Sequence, residues 1–213
     1  MRAVVFDVGN VLVHWAPQVI EDALCQICAA SPSQIRAARQ AVHHEFSIGA
    51  LGAAEYHRYL IKTIGTTPVW DLFYEVYCRG LCRDEEGLSY ASALKRRGLA
   101  IGVISNTNDV HVRWLRDHLP EFAQFDSVIV SSDVGLEKPD PAIYHLSLRR
   151  LRALPDQVLF LDDLAENVAG AQAVGMAGVL HTDWDSSRRA VETWLAGNEI
   201  RSHLVQADDL LCT

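Results

Sequence analysis

The chain has 213 residues, 49% of them hydrophobic and 22% charged, and a formal charge of −8 from 27 acidic and 19 basic side chains. That composition suits one or two globular domains with a sizeable core, and it excludes a disordered or fibrous chain. An acidic balance lacks the positive footprint that nucleic acid or an acidic membrane surface requires, so neither is expected as a partner.

Five cysteines, Cys25, Cys28, Cys78, Cys82 and Cys212, form an odd set that reads as reduced thiols rather than a disulfide framework. The apolar run over residues 3–6 is interrupted by Asp7, too early for a secretory signal, and no run approaches the length of a membrane span. The expectation is a soluble cytoplasmic protein.

In chain order, short and nearly unbroken apolar runs predict buried parallel strands at residues 3–6, 100–104, 127–130, 158–161 and 177–180. Helical patterns fall between the later runs, at 87–97, 109–118, 141–151 and 165–174. This alternation predicts an α/β fold, a Rossmann-like doubly wound and mostly parallel sheet. Residues 14–85 break the alternation, with helices expected at 17–30, 33–45, 53–64 and 69–78 and no strand. Residues 1–13 and 86–213 therefore read as the α/β core, and 14–85 as an inserted all-helical unit. Within it Trp70, Phe73, Tyr74 and Tyr77 follow helical spacing, a stripe that reads first as core packing and second as a substrate-lining face.

Ligands of doubly wound sheets gather at the carboxyl ends of the strands. The first predicted strand ends in Asp7-Val8-Gly9-Asn10 and the second in Ser105-Asn106-Thr107-Asn108. Gly135-Leu136-Glu137-Lys138-Pro139 follows the third, and the fourth ends in Asp162-Asp163. Carboxylates that stay ionised together need a cation, and oxygen donors favour Mg²⁺. Taken singly, each residue has a plainer role. Asp7 could cap a turn, Ser105 or Asn106 could cap a helix, Lys138 could be solvated, and Asp162-Asp163 could cap the next helix. Asp140-Pro141 reads as a helix start in its own right.

Together and in this order, the four segments resemble the motifs of the haloacid dehalogenase-like hydrolase superfamily, over nearly the whole chain. Val4-Val5-Phe6-Asp7-Val8-Gly9-Asn10-Val11-Leu12 is similar to the first motif and Val103-Ile104-Ser105-Asn106-Thr107 to the second. Lys138-Pro139-Asp140-Pro141-Ala142-Ile143-Tyr144 is similar to the third. Leu159-Phe160-Leu161-Asp162-Asp163, with Asn167, Gly170-Ala171 and Gly175-Met176, is similar to the fourth. The inserted unit matches the family's helical cap. The resemblance implies a phosphomonoester hydrolase working through an aspartyl-phosphate on a small phosphorylated metabolite. Asp7 would be the nucleophile and Lys138 the charge-balancing lysine. Ser105, Asn106, Thr107 and Lys138 would hold phosphate. Mg²⁺ would take Asp7, the backbone carbonyl of Gly9 and Asp163, with Asp162 beside it.

The chain departs from the family's phosphatases at Gly9, where they usually carry a second Asp as general acid and base; a positioned acid is worth about 10²–10⁴-fold in rate. An Asp-x-Gly-Asn-Val first motif is similar to that of a subgroup that includes bacterial phosphatases of glucose 1-phosphate, which points to a sugar phosphate. His14 could stand in for the missing acid, and Trp15, Phe46, His43, His44 and His57 could meet the leaving group. Two other readings stay open. One is a 2-haloacid dehalogenase, which needs neither the second Asp nor a metal; the other is a phosphometabolite-binding protein of low turnover. The pairs Cys25/Cys28 and Cys78/Cys82 could hold zinc if brought together, against the plainer reading of buried cap thiols.

Overall fold

The structure is a computed structural model that describes residues 2–197; Cys212 lies outside the described residues. Five strands, β1 (Ala3–Phe6), β4 (Ala100–Ser105), β5 (Ser127–Val130), β6 (Val158–Asp162) and β7 (Ala177–Leu180), form one sheet. All its pairings are parallel, in the order β5-β4-β1-β6-β7. The three central strands are buried along their whole length, which is why their sequences run apolar without alternation.

Alternate residues of each strand enter opposite layers. Val4, Phe6, Ile101, Val103, Leu159 and Leu161 belong to one hydrophobic cluster. Ala3, Val5, Ala100, Ile104, Val158 and Phe160 belong to the other. The second layer is closed by α9 (Pro141–Leu151) and α10 (Ala165–Ala173), through Tyr144, Leu148 and Ala171. The first is closed by α6 (Glu85–Arg96), α7 (Asp109–His118) and α11 (Trp184–Leu195). It runs on without a break into the inserted unit, through Ile20, Leu24, Ile35, Tyr56, Leu60 and Phe73. Truncating such a fully buried side chain costs about 2–5 kcal/mol.

The inserted unit holds α1 (Pro17–Cys25), α2 (Pro32–Gln40), α3 (His43–Ser47), α4 (Ala53–Ile64) and α5 (Trp70–Cys78). Its sequence reading needs two corrections. The helix expected over 33–45 is two helices, α2 and α3. The unit is also not purely helical at its ends. There β2 (Val13–Trp15) and β3 (Leu81–Arg83) pair antiparallel, with His14 opposite Cys82. Strands of three residues are too short to leave a two-residue period in the sequence. This ribbon carries the chain out of the sheet and back.

The helix starts follow local chemistry. Ser31 and Gln34 form a capping box on α2. Asp140 accepts from the Ala142 N–H ahead of Pro141, the helix start expected from sequence. The cap of α7 is Asn108, not Ser105 or Asn106. Phe73 and Tyr77 of the aromatic stripe are buried and in contact at 5.3 Å between ring centroids. The core reading therefore holds, with the addition that Tyr77 also lines the cleft described next. No described helix is long and apolar enough to cross a membrane.

Candidate active site

The chain runs from β1 outward to β4 and β5, then returns to β6 and β7 on the other side of β1. The order therefore reverses between β1 and β6, where a doubly wound sheet leaves a crevice. Asp7 follows β1 directly, and its N–H bonds to the Leu161 carbonyl at 2.8 Å, which extends the β1–β6 ladder by one step. Asp162 and Asp163 come from the end of β6. One oxygen from each of these three carboxylates lies within 4.8 Å of the others.

Lys138 reaches into this cluster from the loop after α8 (Ser131–Val134). Its Nζ donates to Asp7 Oδ1 and to Asp162 Oδ2, both at 2.6 Å, and its side chain is 1% exposed. Sequence had allowed a solvated lysine here; the structure has a buried one between two carboxylates. Burial raises the Asp7 carboxyl to about 6, opposed by the Lys138 charge and reinforced by Asp162. Burial also disfavours the Lys138 ammonium, but the two aspartates outweigh it and hold its pKa above the ordinary value.

Asp162 and Asp163 sit in different surroundings. Asp162 accepts from Lys138, from the Leu164 N–H at 2.8 Å and from Asn167 Nδ2 at 3.1 Å on both oxygens. Its lone pairs are fully used. Asp163 Oδ2 accepts only from Asn10 Nδ2, at 2.8 Å. Asn10 has φ 54, a left-handed conformation that asparagine tolerates better than most residues, and its Oδ1 accepts from the Trp15 N–H at 3.2 Å. Asn10 thus ties the loop after β1 to Asp163 and to β2.

The loop after β4 is placed differently from the sequence expectation. Asn106 does not hold out its side chain to a ligand. Its Oδ1 accepts from the Lys138 N–H and its Nδ2 donates to the Lys138 carbonyl, both at 2.8 Å. The Thr107 N–H is likewise spent, on Ser131 Oγ at 2.8 Å. Ser105, Asn106 and Thr107 all line the cleft, with the Ser105 and Thr107 hydroxyls as the side-chain groups left to meet a ligand. Ser131 is fully buried, and its one hydroxyl proton lies between two acceptors, the Ser47 carbonyl at the end of α3 at 2.6 Å and the Thr107 carbonyl at 2.9 Å. No sequence pattern marked it.

The cleft has a volume of about 570 Å³ and is walled on the other side by the inserted unit, large enough for a small metabolite. Trp15, Phe46 and His43 line it as expected. His14 does not. On β2 the alternation puts Val13 and Trp15 toward the cleft and His14 on the other side, 3.4 Å from Asp84, so it does not face the cleft. His44 pairs with Glu137 at 2.7 Å and His57 with the Thr67 carbonyl at 2.8 Å; neither lines the cleft. The four described cysteines are free thiols. The three-aspartate group is the only cluster of metal-ligating side chains among the described residues, which removes the zinc reading.

The donor set fits a hard divalent cation. Its atoms are carboxylate oxygens, three carboxylates face one ammonium, and Asp163 keeps lone pairs unused.

Residues 1–175 match the family model of the haloacid dehalogenase-like hydrolases. A sesquiterpene phosphatase of Aspergillus oryzae is 29% identical over 186 residues, which cover 85% of this chain and 90% of that one. The bifunctional epoxide hydrolase 2 of Rattus norvegicus is 36% identical over 115 residues, 49% of this chain but 20% of the relative's length. Among solved structures, a HAD family enzyme of Bacteroides thetaiotaomicron superposes with a TM-score of 0.81 at 19% identity, over 89% of this chain and 98% of that one. The same enzyme has been crystallised with magnesium and inorganic phosphate. By the family model over most of its length, and by the fold and strand-end residues just described, this chain belongs to the haloacid dehalogenase-like hydrolase family.

Proposed function

We propose that this chain is a metal-dependent phosphomonoester hydrolase acting through an aspartyl-phosphate on a small phosphorylated metabolite. The observation that carries the reading is the single buried ammonium of Lys138 shared between Asp7 and Asp162 at 2.6 Å. It steadies an ionised carboxylate in a site whose burial otherwise favours the neutral acid. The inserted helices act as a cap over residues 14–85, on a core of 1–13 and 86–213. The phosphatase name of a full-length relative supports the reaction class.

Asp7 attacks phosphorus, the bond to the leaving oxygen breaks, and water then cleaves the acyl phosphate. Lys138 offsets the repulsion between carboxylate and phosphate. Asn106 acts through Lys138, whose backbone it clamps on both sides. Ser105 and Thr107 line the seat of the phosphate. Asp7, the Gly9 carbonyl and Asp163 would hold Mg²⁺, which would supply further neutralisation of the phosphoryl oxygens. Asp162 holds Lys138 in place. With Gly9 in place of a second Asp and His14 outside the cleft, the leaving group must depart without a side-chain acid at either position. That favours leaving groups of low pKa, such as the anomeric oxygen of a sugar.

The test is phosphate release from sugar phosphates and an aryl phosphate, with Mg²⁺, with chelator, and with Asp7→Asn. Turnover that needs Mg²⁺ and disappears in Asp7→Asn is the expected result. Release that survives Asp7→Asn, or none from folded protein, overturns the reading.

A further inference from the structure

The wall of the cleft opposite Asp7 holds a guanidinium whose donors are poorly used. Arg39, on α2, lines the cleft with its side chain 15% exposed. Its Nε is buried with no hydrogen-bond partner. The nearest carboxylate oxygen, Glu21 Oε1, lies 3.5 Å from Nη1, long for a charge-assisted bond. The guanidinium stands over the Tyr77 ring, 5.5 Å from its centroid, and the paired hydroxyls of Tyr56 and Tyr77 are its neutral hydrogen-bonding neighbours.

Its neighbour behaves differently. Arg36 takes Glu21 almost wholly, donating from Nη2 at 2.7 Å and from Nε at 3.1 Å, while its own side chain is half exposed. Glu21 is therefore already satisfied by an arginine in water. The better buried Arg39 is the one left without a close carboxylate partner, with only the tyrosine hydroxyls and a distant Glu21 oxygen beside it. An arginine desolvated this far and paired this loosely is costly unless something completes it. On the cap side of the cleft two guanidiniums face one carboxylate, the reverse of the balance around Asp7.

We propose that Arg39 determines specificity by binding an anionic substituent, a carboxylate, on the leaving group of the substrate. The planar fork of arginine matches a carboxylate in two parallel bonds, and the Tyr77 face beneath it keeps the fork flat. The substrate class is then a phosphomonoester whose leaving group carries its own negative charge at the end remote from the phosphate. This rests on the phosphatase reading for the phosphate end of the cleft and goes beyond it at the other end.

The test compares two matched esters, para-carboxyphenyl phosphate and para-carbamoylphenyl phosphate, alike in size and differing in charge. Aryl leaving groups also remove any need for an acid at Gly9. The wild-type chain should favour the carboxylate ester by about 10-fold or more in kcat/KM, the range of one charged hydrogen-bonded pair. Arg39→Gln should bring the ratio near one, chiefly through KM, and Arg39→Lys should keep part of it. Thermal melting of each variant checks the fold, which Glu21 paired to Arg36 should preserve. A wild-type ratio near one, or a ratio unchanged in Arg39→Gln, overturns the proposal. Binding of the products, para-hydroxybenzoate and para-hydroxybenzamide, separates the two levels of argument. Tighter binding of the benzoate that is lost in Arg39→Gln, with no phosphate released from any ester, supports Arg39 and overturns the phosphatase. Phosphate release with equal binding of the two products does the opposite.

Discussion

At Gly9 an added Cβ would have no neighbour nearer than 4.0 Å, at Asp7 Oδ2 and Trp15 Cβ. The backbone there lies outside the left-handed region, so a side chain is accepted without strain. Space therefore does not explain the glycine, and a carboxyl at this position would stand beside the nucleophile. Gly9→Asp should fold normally and raise turnover of alkyl phosphates, whose leaving groups need a proton, by about 10- to 100-fold. Aryl phosphates, which need none, should gain much less. Steady-state kinetics on the two ester classes checks this, and an equal effect on both would sink it. At this scale the sequence was legible where a residue type carries its chemistry alone. Asp7, Lys138 and Asp163 stand where their types implied. Asn106 was expected to face phosphate, whereas its amide bonds the Lys138 backbone on both sides, because an amide bonds as readily to a backbone as to a phosphate. Arg39 and Ser131 left no signal, since their importance lies in which partners they have or lack.

Elements show the same division. The parallel strands were legible because burial on both faces leaves continuous apolar runs, whereas β2 and β3 owe their pairing to each other across the whole inserted unit. Where the inserted unit meets the sheet layer, His111 in the first turn of α7 makes the joint. Its ring packs against Trp15 of β2 at 5.0 Å and Tyr77 of α5 at 5.1 Å between centroids. Burial holds its pKa down, from 6.5 to about 3. A depressed folded pKa means the unfolded chain binds the proton first. The stability His111 confers is thus complete above 6.5 and is lost as pH falls toward about 3. Its share of the slope is about 1.4 kcal/mol per pH unit within that window. His111→Phe keeps a ring there and removes the proton site. Urea unfolding across this pH range should show a shallower acid loss for the variant, and an unchanged slope would exclude His111 as its source.

For the molecule as a whole, the contact that matters is the one closing the cap on the core. Gly49, just past α3, has φ +73, and a Cβ there would lie 2.2 Å from the Ser132 carbonyl oxygen. Two further links flank this contact, Ser131 to the Ser47 carbonyl at 2.6 Å and His44 to Glu137 at 2.7 Å. Gly135 is the natural control, with φ +68 and nothing within 4 Å of an added Cβ. Both alanine variants bear the left-handed strain, roughly 1 kcal/mol; only Gly49→Ala also pushes the cap off its seat. The expected result is a fall in kcat/KM of about 10-fold or more for Gly49→Ala beyond that of Gly135→Ala. Equal falls would mean that the cap seat does not control the cleft.

The central position of β1 has a consequence for how activity appears during folding. Asp7 bonds through its N–H to Leu161, and its partner carboxylates, Asp162 and Asp163, are made more than 150 residues after it. Nascent helices need no such wait, because their contacts are local. Closing the β1–β6 pair must overcome the entropy of a loop that spans most of the chain. During refolding from denaturant, recovery of turnover should therefore trail recovery of the helical circular-dichroism signal. A chain stalled on the ribosome before residue 158 has β1 and β4 but no β6, and therefore none of the acid cluster beyond Asp7. The acid cluster is therefore complete only once the last central strand is home.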